Sequence, residues 1–182
     1  MHPSQLPLDD LEKACRWTFS RDSGPGGQNR NKVETAASVE HLPTGHRASA
    51  AERRSQSENR AVAIHRLRCS LAVAVRSETI HDASAMPSAI ESMGTSQAWQ
   101  QYVRRGRIQI SESNPDFPAL LAEAMDRLAA LDWNVADSAQ SLETSGTQLI
   151  KLLSQYAPAL KELNAQLVAR GRAVRNPPPS AR

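Results

Sequence analysis

The residues best suited to chemistry by type and spacing lie in the segment Ser23 to Thr35, which reads SGPGGQNRNKVET. At its centre Gly26 and Gly27 precede Gln28, in a stretch with neither helical nor strand periodicity. Paired glycines adopt backbone angles closed to other residues and let the main chain approach a partner closely. Glutamine cannot act as a base at neutral pH, but its amide donates and accepts hydrogen bonds. The tripeptide therefore predicts positioning of a reactant and stabilisation of an oxyanion.

Short strands are predicted on both sides of this loop. Residues 16 to 20 alternate in polarity and predict the strand that enters it, and Ala36 to His41 predict the strand that leaves it. Turn residues follow at Pro43 to Gly45, so Arg47 to Ala51 is the expected partner strand of a hairpin. From about Ser57 to Arg76, apolar residues at helical spacing then predict one long amphipathic helix.

Helical periodicity dominates the C-terminal part of the chain. Residues 77 to 97 show no clean period and predict a linker, after which Asn114 and Pro115 are start signals for a helix through Leu131. A short helix is predicted over residues 135 to 142.

Two further helices and a tail complete this part. A helix over residues 146 to 155 is opened by Ser145 with Gln148 three residues later, the pattern of a capping box. Pro158 fits the first turn of a last helix. Residues 173 to 182 are basic and proline-rich, and they predict a disordered tail.

Composition and charge narrow the class of protein. The 182 residues are 40% hydrophobic and 23% charged, with a net charge of +3 and a pI near 9.2. The positive charge is nearly all arginine, whose planar fork suits phosphate, so nucleic acid is a plausible partner. No apolar run approaches the roughly 20 residues that span a bilayer, and the early acidic residues do not fit a secretory signal. We therefore expect a cytoplasmic protein with no membrane contact.

Metal and disulfide chemistry are not indicated. The two cysteines, Cys15 and Cys69, have no partner spacing for a metal site and are too few for a disulfide framework. The histidines show no ligand grouping either. We expect no metal and no cofactor.

Three motifs in register resemble the catalytic domain of class I peptide-chain release factors and of the related codon-independent ribosome-rescue hydrolases. They are the SGPGGQNRNKVET string, HLPTG at His41 to Gly45 and RSQSENR at Arg54 to Arg60. The similarity runs from Trp17 to about Leu71. It implies a small α/β domain whose loop enters the ribosomal peptidyl-transferase centre and positions water to attack the peptidyl-tRNA ester.

The same resemblance implies a role for each matching residue. The catalytic residues would be Gln28, Gly26 and Gly27, and the loop-shaping residues would be Ser23, Gly24 and Pro25. Contacts with rRNA or tRNA would come from Asn29, Asn31, Lys32, Arg53, Arg54, Gln56, Asn59 and Arg60. The residues before Arg16 are too few for a stop-codon decoding domain, and those after Arg76 do not resemble one. Activity without a stop codon is therefore the expectation.

The segment from Val135 to Leu153 resembles a bacterial helix-turn-helix. Its core would be Ala139, Leu142, Leu149 and Leu152, and its recognition face would be Thr147, Gln148 and Lys151. Glu143 stands where a turn glycine is usual. A purely structural helical bundle explains the same apolar stripes. The cluster of Arg104, Arg105 and Arg107 is the better candidate for RNA contact, with a solvated turn as its alternative.

Together these patterns predict an α+β protein. A release-factor-type catalytic domain over residues 1 to 80, with a short mixed sheet and a long helix, is followed by a linker over 81 to 97. An all-α helical domain over 98 to 172 and the tail complete the chain. The expected partners are large-subunit rRNA and P-site peptidyl-tRNA, with the protein a monomer and duplex DNA not a partner. The alternatives are a non-catalytic ribosome- or RNA-binding protein, and a nucleic-acid-binding regulator acting through the helical domain.

Overall fold

A computed structural model describes residues 2–21, 34–77 and 94–178. The chain divides into two compact units, one of Leu6–Leu71 and the other of Met1–Gln5 together with Ala72–Arg182. This division differs from the domain boundary predicted at residue 80. The first residues join the second unit because His2 and Ser4 bond to backbone oxygens of that unit, at Val75 and Pro118. No helix in the described ranges combines the length and apolar character needed to cross a membrane.

The first unit contains a three-stranded antiparallel sheet in the order β1, β2, β3. Helix α1 (Leu8–Lys13) leads into β1 (Cys15–Ser20), and β2 (Ala36–His41) and β3 (His46–Ala50) follow. Gly45 lies in the turn between β2 and β3 with φ of 71°, a left-handed angle that glycine adopts without strain. All three predicted strands are confirmed to within a residue. The predicted mixed sheet is, however, antiparallel throughout the described strands.

Alternation along the strands forms the core of this unit. In β2, Ala37 and Val39 are buried while Ser38 between them is exposed, and Val39 lies opposite Trp17 of β1. Helix α2 (Gln56–Ala74) adds a buried face that includes Ile64 and Leu67. The long helix predicted over residues 57 to 76 is therefore confirmed, with its end two residues earlier.

After the end of α2, the described part of the second unit continues with a helix and a small hairpin. Helix α3 (Gln97–Tyr102) is capped by Ser96, whose hydroxyl accepts the Trp99 N–H. The strands β4 (Val103–Arg104) and β5 (Arg107–Ile108) follow directly and pair antiparallel. The accessory unit is thus not all-α. Residues 81 to 93 of the predicted linker lie outside the described residues, and α3 begins at Gln97.

Four longer elements complete the second unit. They are α4 (Phe117–Ala130), α5 (Val135–Ser141), α6 (Gly146–Ser154) and α7 (Ala157–Ala169). Their bounds match the predicted helices, and the four residues predicted as the helix-turn-helix core are all buried. The predicted α+β class is confirmed.

Two local predictions in this unit require correction. The Ser145 hydroxyl accepts the Gln148 N–H as a capping box requires, but the Gln148 side chain does not return to the cap, because its Oε1 accepts the Ile108 N–H. The tail was predicted to be disordered from residue 173, yet Arg175 is held by Asn164 of α7. Its N–H donates to Asn164 Oδ1 at 2.7 Å, and its carbonyl accepts from Asn164 Nδ2 at 2.9 Å. Residues 179 to 182 lie outside the described residues.

Candidate functional site

The loop that carries the predicted chemistry is closed at its base by the sheet. Residues 22–33 lie outside the described residues, and they include the predicted catalytic, loop-shaping and loop RNA-binding positions Ser23, Gly24, Pro25, Gly26, Gly27, Gln28, Asn29, Asn31 and Lys32. The flanking strands are described. Ser20, the last residue of β1, is paired with Ala36, the first residue of β2. Directly opposed residues in an antiparallel pair have Cα atoms about 4.5 to 5.5 Å apart, so the sheet brings the two ends of the loop together.

The exit of the loop is fastened to the first turns of α2. Gln56 Nε2 donates to the Glu34 carbonyl at 2.9 Å, and Asn59 Nδ2 donates to the Thr35 carbonyl at 2.7 Å. These two amides lie three residues apart on the helix, on the same side, and so they hold consecutive carbonyls of the chain.

Asn59 also holds the segment that precedes the helix. Its Oδ1 accepts the Arg53 N–H at 2.9 Å, and its Nδ2 donates to the Arg53 carbonyl at 3.0 Å. The side chain is fully buried. The predicted contact of Asn59 with RNA is therefore replaced by a positioning role, because both amide hydrogens and the oxygen are bonded to backbone.

Arg60, the next residue along, is held by two groups of the first unit. Its guanidinium carbon lies 4.8 Å from the ring centroid of Trp17, and its Nη2 lies 2.5 Å from Glu12 Oε2. Trp17 is itself stacked on Phe19, with ring centroids 6.0 Å apart. The Arg60 side chain is still 46% exposed, so part of the guanidinium remains available to a phosphate.

Arg53 and Arg54 are exposed just before α2, and neither side chain has a bonded partner among the described residues. The neighbouring acid, Glu52, is bonded to Arg66 at 2.6 Å. Backbone N–H groups, its own first and then that of Ala51, lower the pKa of Glu52, and the charge of Arg66 adds to the effect. Because Glu52 is bonded to Arg66, it does not pair with Arg53 or Arg54.

The second predicted cluster of RNA contacts forms the β4–β5 hairpin. Arg104 is paired directly with Arg107 across the hairpin, and Arg105 lies in the turn with φ of 50°. All three arginines are exposed. They lie in the second unit, whereas Arg53, Arg54 and Arg60 lie in the first.

The helix-turn-helix face differs from that of a DNA reader. Thr147 and Lys151 are exposed as predicted, but Gln148 is bonded to the backbone of the hairpin. The turn residue Glu143 has φ of 53°, which is the left-handed conformation that a glycine would adopt more easily. The described residues contain no group of acidic, histidine or cysteine side chains that could hold a metal ion.

Sequence reasoning missed Trp17, Glu12 and the backbone of Glu34 and Thr35. Trp17 carried a usable signal, because a tryptophan on the inward side of an alternating strand is a candidate for packing against an arginine. The backbone contacts carried no signal, because any residue type supplies the same carbonyl group.

The chain matches the RF-1 domain family model over residues 8–113, more than half of its length. Among similar curated proteins, the chloroplastic peptide chain release factor PrfB1 of Arabidopsis thaliana is 44% identical over 69 residues, 38% of this chain and 14% of that protein. Peptide chain release factor 1 of Frankia casuarinae is 32% identical over 130 residues, 66% of this chain and 36% of that protein. The mitochondrial peptide chain release factor 1-like protein of Rattus norvegicus is 33% identical over 101 residues, 55% of this chain and 27% of that protein.

The match covers only a small part of each of these relatives. The chain spans between 14% and 36% of their lengths. The family model, by contrast, accounts for most of the chain, and the Gly-Gly-Gln tripeptide lies within the matched residues. The chain therefore belongs to the RF-1 domain family, as a class I release factor-like protein with a Gly-Gly-Gln domain.

Proposed function

We propose that this protein hydrolyses the ester bond of peptidyl-tRNA on the ribosome. The observation that carries the proposal is the string SGPGGQNRNKVET in a chain of the RF-1 domain family. In the reaction, a water oxygen bonds to the ester carbonyl carbon and the bond to the ribose oxygen of the tRNA breaks. That oxygen takes up a proton, so a free peptide and a deacylated tRNA are formed. The partners would be large-subunit rRNA and P-site peptidyl-tRNA.

Gln28 is the residue proposed to act on the reacting atoms. Because its amide is neutral, it orients water and stabilises developing negative charge rather than removing a proton. Gly26 and Gly27 leave room for the backbone to approach the tRNA end closely. Ser23, Gly24 and Pro25 are proposed to shape the loop, while Asn29, Asn31 and Lys32 order its exit or contact RNA.

The described residues support a rigid base for this loop. Ser20 pairs with Ala36, and the side-chain amides of Gln56 and Asn59 donate hydrogen bonds to the loop exit. Because these contacts hold both ends of the loop, less conformational entropy is lost when the loop binds in a site. Arg53 and Arg54, with the exposed part of Arg60, are then proposed to contact RNA phosphates beside it.

We also propose that release does not need a stop codon. The residues after Arg76 do not resemble a decoding domain, and their main pattern is helical. The residues up to about 80 are proposed to act in catalysis and the helical part in docking. The proposed location is the cytoplasm.

A release assay on purified ribosome complexes tests the proposal. Complexes with labelled peptidyl-tRNA in the P site are prepared with a stop codon, a sense codon or no codon in the decoding site, and released peptide is measured against protein concentration. We expect release from all three at rates that do not favour the stop codon. Release only with a stop codon would contradict codon independence, and binding without release from any complex would support the non-catalytic alternative.

A further inference from the structure

The arginine hairpin of the second unit has a defined backbone. Arg105 and Gly106 are the two turn residues, with φ of 50° and 74°. Two consecutive left-handed residues give the turn whose twist matches a tight antiparallel hairpin. Val103 pairs with Ile108 beneath it. The backbone conformation of the hairpin therefore fixes the Cα positions of the three arginines.

The charge of this hairpin is not balanced within the described residues. Arg104, Arg105 and Arg107 are exposed, and none has an ion pair or a side-chain hydrogen bond in the part of the chain that is described. Like charges directly opposite each other across a hairpin are destabilising. Elsewhere in this unit Arg170 and Arg172 are both paired with Asp132. The directly opposed pair of Arg104 and Arg107, with no bonded acid among the described residues, is consistent with an external anion as its partner.

The hairpin is bonded to the turn between α5 and α6. Thr144 Oγ1 donates to the Gly106 carbonyl at 2.7 Å, and the Ile108 N–H donates to Gln148 Oε1 at 3.3 Å. The helix before the hairpin is joined to the same turn, because Trp99 Nε1 donates to the Leu142 carbonyl at 2.9 Å. The segment of α5, its turn and α6 therefore supports the hairpin. A DNA reader would use Gln148 to contact bases, but here its side chain is bonded to the hairpin backbone.

We propose that the hairpin is a docking surface for the sugar–phosphate backbone of duplex RNA, with α5 and α6 as its support. This rests on the proposed function, which places the protein on the ribosome. Guanidinium groups match phosphate geometry with paired hydrogen bonds. Single-stranded RNA is normally held by stacking on exposed aromatic rings. Here the nearby Trp99 is buried, and the Tyr102 hydroxyl is bonded to Asp116.

Duplex RNA is favoured over duplex DNA by the same geometry. A DNA reader of this type inserts α6 into a major groove and reads base edges with its exposed face. The deep, narrow major groove of an RNA duplex excludes such a helix, and recognition of duplex RNA therefore uses its phosphates and the 2′-hydroxyls of its shallow minor groove. A short hairpin with three exposed arginines, one in its turn and one on each strand, can contact the phosphates of a duplex without reading its base sequence.

Binding of the full chain to isolated duplexes tests the proposal. Fluorescence anisotropy is measured with a blunt RNA duplex and with a DNA duplex of the same sequence, over a range of salt concentrations. The test variant replaces Arg104, Arg105 and Arg107 by glutamine. The control variant, K13Q/K161Q/R175Q, removes the same charge at exposed positions outside the hairpin.

For the hairpin variant we expect RNA affinity to fall about 10- to 100-fold and the slope of log K against log salt to fall by about two to three. The control should stay within about threefold of the parent protein. Equal losses in the two variants, or none in the hairpin variant, would overturn the proposal. Equal affinity of the parent for the two duplexes would overturn the assignment to RNA.

A second variant tests the support without changing the charge. Thr144→Val removes the hydroxyl that bonds the Gly106 carbonyl. We expect weaker RNA binding by severalfold with an unchanged salt slope, because the phosphate contacts are kept but less well placed. Unchanged affinity would contradict the supporting role of the turn. Failure of peptide release by the parent protein would refute the proposed hydrolysis alone, since these duplex measurements do not depend on it.

Discussion

Asn59 Nδ2 donates a hydrogen bond of 2.7 Å to the Thr35 carbonyl, which joins the first turn of α2 to the exit of the Gly-Gly-Gln loop. The same amide is bonded to both backbone groups of Arg53. The buried side chain of Asn59 thus connects three parts of the first unit: the loop exit at Thr35, the segment at Arg53 and helix α2. The placement of the loop and that of its neighbouring arginines depend on the same residue.

We expect Asn59→Ala to destabilise the first unit by about 1 to 3 kcal/mol, because the buried side-chain amide of Asn59 makes hydrogen bonds to the backbone of Thr35 and Arg53 that alanine cannot make. Urea denaturation followed by circular dichroism measures the change. Gln56→Ala is the matched control, since it removes one bond at an exposed site and should cost about 0.5 kcal/mol or less. Equal effects of the two substitutions would show that burial of Asn59 has no energetic consequence.

The buried imidazole of His2 predicts a pH dependence of stability. Its Nδ1 accepts the Ser4 N–H at 3.1 Å, so the ring proton lies on Nε2 and is donated to the Val75 carbonyl at 3.1 Å. Burial lowers the pKa of His2 from its ordinary value of 6.5, the largest effect, against the opposing influence of the Val75 carbonyl and Asp126.

Because the folded-state pKa of His2 is depressed, its contribution is complete above the ordinary value of 6.5 and is lost as the pH falls through the folded-state pKa. Histidine NMR titration should give a pKa below 6.5 for this ring, and stability should decline over that range. His2→Gln should reduce the decline without abolishing it, since burial also lowers the pKa of His41. A His2 pKa at or above the ordinary value would contradict the assignment.

Glu143 ends α5 in a left-handed conformation. Its N–H donates to the Gln140 carbonyl, and the Thr144 N–H donates to the Ala139 carbonyl, which together form a Schellman motif. We expect Glu143→Gly to stabilise the second unit by about 0.5 to 1 kcal/mol, because the glycine removes the left-handed strain. Ala165→Gly, at an exposed site within α7, should instead cost about 1 kcal/mol in thermal denaturation. Destabilisation by both glycines would refute the strain argument.

The hydrogen bonds between Asn164 and Arg175 predict protection of the tail from protease. We expect Asn164→Ala to speed trypsin cleavage at Arg172 and Arg175 by about fivefold, because two backbone bonds are lost. Asn164→Asp keeps the acceptor for the Arg175 N–H and should have a smaller effect. Cleavage at the parent rate in both variants would mean that the bonds do not hold the tail in solution.

Among the described residues, the three strands of the first unit and the five longer helices were predictable because their patterns are local. The alternation of Ala36 to His41 and the apolar spacing of α4 lie within single segments, and their bounds follow from them. The short α1 and α3 were missed, since six residues are too few to show a helical period.

The contacts of single polar side chains were not predictable. Asn59, Gln148 and Asn164 bond to backbone groups 24, 40 and 11 residues away, and nothing in their own segments indicates which partner they meet. Motif resemblance assigned Asn59 to RNA, and helix-capping rules assigned Gln148 to its own cap. In both cases a tertiary backbone group competed successfully for the amide.

The most direct test of the account is peptide release by Gln28→Ala compared with the parent protein. Release from ribosomes carrying labelled peptidyl-tRNA is measured at saturating protein, together with ribosome binding and thermal stability of both proteins. We predict a fall in release of about 100-fold or more, as for loss of a group that stabilises the transition state, with binding and stability unchanged. Release at the parent rate by the folded, ribosome-bound Gln28→Ala protein would contradict the account.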